Sequence, residues 1–173
     1  MISGADEPRR ELFLRDDLEP ADVVGAHREA LHVLRDSIDT AYVDAYSDSA
    51  WPLDVMPAHA YALSLGTSQL SSEGRSVKGD AGMGVTIAVR DDAQFDVLLT
   101  LAPFTIGAEA WRLDQVVFSA ADTGTSLYVA VTAEQEAQLM SRLGALGIAP
   151  TAFAPRPHKQ RGPFARWSRR RGA

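Results

Sequence analysis

The chain has 173 residues, 46% of them hydrophobic, with a formal net charge of −6 and no cysteine. That length suits one domain with appendages, and the lack of cysteine excludes disulfides, thiolate metal sites and thiol nucleophiles. The charge is segregated: residues 1–150 carry 10 Lys/Arg against 23 Asp/Glu and residues 151–173 carry 7 Lys/Arg and no acid, so a body at −13 bears a tail at +7.

Residues 1–19 read as a polar arm in which Leu12-Phe13-Leu14 has the look of a small strand. The arm lacks a basic start followed by an apolar run, so no signal peptide is expected. No stretch approaches the ~18 apolar residues of a membrane helix. The expectation is a cytoplasmic protein that is not integral to a membrane. From Pro20 to about Tyr46 the spacing predicts a long helix, with Val23, Val24, Leu31, Leu34, Ile38, Ala41, Tyr42 and Ala45 on one face. Away from that face lie Glu29, His32, Asp36, Asp39 and Asp44, a candidate acidic surface for a basic partner. Residues 47–57 hold two prolines and read as a loop.

Apolar alternation then predicts strands over residues 61–65, 83–89, 95–101, 116–120 and 127–131. The interval 102–111 is ambiguous and leaves room for a short helix. A last helix starts at Thr132, where Gln135 completes a capping-box pattern and Glu134 and Glu136 suit the helix dipole. Leu139, Met140, Leu143 and Leu146 form its apolar stripe, and Gly147 ends it. The predicted class is α+β: about five mainly antiparallel strands, with a long N-terminal helix and a C-terminal helix on one face. The order is similar to a secretion-chaperone-like α-β-β-β-β-β-α layout, kept as an alternative. Residues 20–150 are expected to form this single domain and residues 151–173 a flexible tail.

Three segments invite a chemical reading. Asp122-Thr123-Gly124-Thr125-Ser126 resembles the active-site loop of aspartic peptidases, where two carboxylates share one proton. The resemblance implies a catalytic Asp122, but the chain holds one such loop, and the residues after Ser126 read as a strand and a helix with no flap hairpin. The same letters suit a tight turn, Asp for entry and Gly for positive φ. The turn is the expectation, the peptidase an alternative, and no catalytic residue is assigned. The glycine-rich stretch over 71–84 has Asp80 where a phosphate loop requires lysine, so only Arg75 and Lys78 remain as candidate ligand contacts. His32 and Asp36 share the spacing of two metal ligands but lack a third. No metal or cofactor is expected. His27, on the apolar face, reads as a buried, hydrogen-bonded histidine, and His59 and His158 show no partner.

The tail sets Arg156, Lys159, Arg161, Arg166, Arg169, Arg170 and Arg171 around Phe164 and Trp167. That mixture can neutralise phosphates and stack on bases, rest on anionic lipid, or lie on its own acidic body. The preferred function is a non-catalytic acidic interaction domain binding a protein partner (immunity-, chaperone- or adaptor-like), with the tail contacting a polyanion. The alternatives are a nucleic-acid-associated protein anchored through the tail and an aspartic-peptidase-like enzyme. A homodimer formed through an exposed sheet edge stays open.

Overall fold

A computed structural model describes residues 7–48, 50–72 and 80–156. Its elements are β1 (Arg10–Leu14), α1 (Pro20–Leu34), β2 (Thr40–Val43), α2 (Met56–Ser72), β3 (Val85–Ile87), α3 (Asp92–Leu101), β4 (Gly107–Arg112), β5 (Gln115–Ala121), β6 (Ser126–Val131), α4 (Ala133–Ala145) and β7 (Phe153–Ala154). The protein is α+β, as predicted. The sheet has seven antiparallel strands in the order β3-β2-β4-β5-β6-β1-β7, where five were expected. Strands interleave with helices, so the α-β-β-β-β-β-α order does not apply.

Three segments depart from the predicted elements. The helix expected to reach Tyr46 stops at Leu34 and gives way to a short 3-10 turn and β2. Ala41, Val43 and Ala45 are buried in alternation with Tyr42 and Asp44, a period of two that overrides the looser helical match. Residues 61–65 belong to α2, where Ala62 and Gly66, four apart, are buried and Tyr61 is exposed. Residues 95–101 form α3, entered through Asp91, whose carboxylate accepts the Gln94 amide. Phe95, Leu98 and Leu99 share its buried side, a helical spacing that the alternation of 95, 97, 99 and 101 had masked. The ambiguous interval supplies β4 in place of a helix.

Other expectations match. Residues 83–89, 116–120 and 127–131 contain or fall within β3, β5 and β6, and residues 12–14 fall within β1. Thr132 and Gln135 make the complete capping box of α4, and Gly147 ends the following turn at φ 76°.

The helices form one layer, α2 against α3, α3 against α1 and α1 against α4. Their apolar sides meet Val85, Ile87, Ala41, Val43, Ala108, Ala110, Phe118, Ala120, Leu127, Val129 and Leu12 in a single core. The strands alternate, so their intervening residues point to the other face, which no helix covers among the described residues. No helix among them is long and apolar enough to cross a membrane.

Candidate functional site

The peptidase-like letters come first. Ala121 pairs with Ser126, so residues 122–125 connect β5 to β6 as a hairpin turn. Asp122, Thr123 and Gly124 have φ of 53°, 58° and 94°. The Asp122 carbonyl accepts the hydroxyls of Thr123 (2.7 Å) and Thr125 (3.0 Å), and the Thr123 amide donates to the Thr105 carbonyl at 2.9 Å. A Cβ on Gly124 would lie 2.4 Å from the Pro103 carbonyl oxygen. A φ of 94°, well beyond the values of Asp122 and Thr123, and this close approach together require glycine at position 124. The turn borders a mainly apolar groove of about 260 Å³ between Leu18, Val23 and Phe104. Asp16 is the one carboxylate among the lining residues, Asp122 is not among them, and Arg15 at the edge is held by Asp17. That set offers an apolar slot without a carboxylate pair.

The uncovered sheet face is chemically richer. Cross-strand partners put Tyr42, Glu109, Trp111, Ser119, Tyr128, Glu11 and Phe13 on it. The Tyr42 hydroxyl bonds Glu109, and burial together with that carboxylate pushes its pKa up to about 12. The Tyr128 hydroxyl donates to Glu11 at 3.2 Å, and burial first, then the Glu11 charge, raises its pKa. Phe13 and Tyr128 pack with ring centroids 5.2 Å apart. Over Phe13, at 5.4 Å, sits the guanidinium of Arg156. The face therefore presents aromatic rings paired with carboxylates, a surface that attracts planar cations through both ring quadrupole and charge.

No family model, curated protein or solved structure matches the chain.

The expected acidic surface is dispersed, because the helix meant to carry it ends at Leu34. Glu29 pairs with Arg142, His32 stands edge-on to Phe95 at 5.8 Å and Asp36 holds Arg90 at 2.9 Å. Asp39 and Asp44 flank β2 and accept the amides of Leu113 and Gly84, each at 2.7 Å. No group of three metal-ligating side chains occurs among the described residues. His59 has partners after all: its Nε2 lies 3.1 Å from the carbonyls of both Ala45 and Tyr46, and its ring packs on Trp51. Arg75, Lys78, Lys159, Arg161, Phe164, Arg166, Trp167, Arg169, Arg170 and Arg171 lie outside the described residues, while Arg156 lies within them. Sequence reading missed Glu11, Phe13, Tyr42, Glu109, Trp111 and Tyr128. Their signal was present, since each alternates with a buried apolar neighbour, but for Tyr42, Glu109 and Trp111 it shows only once β2 and β4 are recognised as strands.

Proposed function

We propose that the chain is a non-catalytic interaction domain that holds a basic, arginine-bearing segment of a protein partner on the open face of its sheet. The observation that carries this reading is Arg156, whose guanidinium rests on Phe13 beside the Tyr128–Glu11 pair. The same grouping of aromatic and acid recurs at Tyr42 and Glu109 with Trp111 nearby, so several cations find equivalent seats. Each exposed cation–π contact contributes about 0.5–1 kcal/mol and each exposed ion pair about 0.2–1 kcal/mol. Binding therefore needs several arginines at once and weakens in salt. Carboxylates on this face repel phosphate, which favours a protein segment over nucleic acid as its ligand. An adaptor- or chaperone-like role fits a surface of this kind.

The test is a titration of the full-length protein with a short peptide alternating arginine and small residues, followed by calorimetry and by amide NMR shifts. Glu11→Gln together with Glu109→Gln should weaken binding about tenfold, and the shifts should concentrate on β1, β4 and β6. Unchanged affinity in the double variant, or shifts confined to the helical layer, would reject the assignment.

A further inference from the structure

We infer that the partner segment crosses the strands in extended form and presents two arginines about four residues apart. One arginine meets Glu109 and the other meets the Tyr128–Glu11 pair. This rests on the reading of the open face as a receptor for basic segments, and it adds the direction and spacing of the ligand.

The strand pairing is in phase across the sheet. Tyr42 stands opposite Glu109, Glu109 opposite Ser119, Ser119 opposite Tyr128 and Tyr128 opposite Phe13. Consecutive strands therefore set these residues in one row, perpendicular to the chain direction, on the face away from the helices. The row ends in short side chains, Thr86 opposite Tyr42 and Ala154 opposite Phe13. Ser119, in the middle, is short as well and separates two groupings. In the first, Glu109 binds the Tyr42 hydroxyl and Trp111 follows two residues along β4. In the second, Glu11 belongs to the neighbouring row, opposite Ala130, but its bond to the Tyr128 hydroxyl at 3.2 Å draws the carboxylate toward Phe13 and Tyr128. The Arg156 guanidinium over Phe13 marks this grouping as a seat for a planar cation.

The two seats fix the direction of the ligand. β1 supplies Glu11 and β4 supplies Glu109, so a segment lying along either strand meets one carboxylate and only a crossing segment meets both. From β4 to β1 the sheet order makes three steps, roughly 14 Å at ~4.8 Å per step. In an extended chain residues i and i+4 face the same side and stand about 14 Å apart, at ~3.4 Å per residue. An i, i+2 pair covers only about 7 Å and an i, i+6 pair about 20 Å. An α-helix needs about nine residues for the same distance, which turns the second side chain to the opposite side. Guanidinium suits both seats, because it stacks on a ring and bonds a carboxylate in one plane, which an ammonium does not.

The test is calorimetry at low salt on the full-length protein, with Ser/Thr peptides of equal length. They carry one arginine, or two at i, i+2, at i, i+4 or at i, i+6. The i, i+4 pair should bind about tenfold more tightly than the single arginine, and the other pairs should recover little of that gain. Glu109→Gln should abolish the advantage of the i, i+4 pair. Arg156→Ala, which removes the competitor for the second seat, should enlarge it. Equal affinity of all the two-arginine peptides overturns the spacing and leaves the receptor reading intact. A preference that survives Glu109→Gln and is unmoved by Arg156→Ala overturns the assignment of the seats. Binding of none of the peptides defeats the receptor reading itself.

Discussion

His27 is wholly buried in α1, its Nδ1 2.7 Å from the Val23 carbonyl and its Nε2 without a partner. A helical carbonyl four residues back accepts, so Nδ1 carries the proton and the ring stays neutral. Burial, only partly offset by that bond, lowers the pKa from 6.5 to about 4. An unfolded chain thus binds a proton between those values that the folded chain refuses. Stability from this group is complete above pH 6.5 and is lost as pH falls toward 4, about 3 kcal/mol across the window. Urea titrations from pH 7.5 to 4 should show that decline, and His27→Phe, which packs toward Phe118 without titrating, should flatten it. An unaltered pH slope in the variant would show that other groups govern acid sensitivity. Thr123 offers the opposite test. A β-branched residue at φ 58° carries a left-handed penalty of about 1–2 kcal/mol that asparagine largely avoids. Thr123→Asn gives up the hydroxyl bond to Asp122 yet should still raise stability by roughly 1 kcal/mol. A drop in the unfolding midpoint would mean that the hydroxyl outweighs the strain.

α4 is the element whose local chemistry and observed structure agree most fully. The Thr132 hydroxyl accepts the Gln135 amide at 3.2 Å, and the Gln135 side chain accepts the Thr132 amide at 3.1 Å. Removing the cap with Thr132→Ala should cost about 1 kcal/mol in chemical denaturation, with the fold retained. Such a signal was readable in sequence because capping is decided within four residues. β5 and β6 were readable too, since Phe118, Ala120, Leu127 and Val129 alternate without competition. α2 and α3 were not. In α3 five of ten residues are buried, so apolar residues occur at every spacing and a strand pattern can be drawn through 95, 97, 99 and 101. In α2 the burial depends on distant neighbours: a Cβ on Gly66 would meet the Ala81 carbonyl oxygen at 1.8 Å, a contact no local pattern announces. The uncovered face was hidden for the same reason. Tyr42 also fits a helical apolar stripe, and its meeting with Glu109 depends on pairing β2 with β4, residues far apart in the chain. The tail's charge was legible from composition, but the grouping of aromatic rings and carboxylates on the sheet was not.

A two-layer protein with helices on one side of its sheet leaves two strand edges to protect, and this chain treats them differently. On β3 the outward amide and carbonyl of Thr86 are taken by one side chain: Gln69 Oε1 accepts at 3.0 Å and Nε2 donates at 2.8 Å. The amide of Gln69 thus stands where a neighbouring strand's backbone would be. The opposite edge, β7, is only two residues long before Pro155, and both shortness and proline discourage further pairing. If Gln69 closes the first edge, its removal has a consequence for assembly that its modest energy would not suggest. Both Thr86 groups would turn to water, so Gln69→Ala should lower stability by only about 1 kcal/mol. Yet a second copy could then pair along β3 (Val85–Ile87), whose alternate residues Val85 and Ile87 already point into the core. Sedimentation over a wide concentration range should show Gln69→Ala self-associating at concentrations where the native chain does not. The short length of β3 and the acidic body limit that association, so it should strengthen when salt screens the charge. Equal sedimentation of the two proteins at every concentration, in low and high salt, would show that the edge is guarded by its own brevity. The Gln69 bonds would then be an expression of helix–strand packing alone.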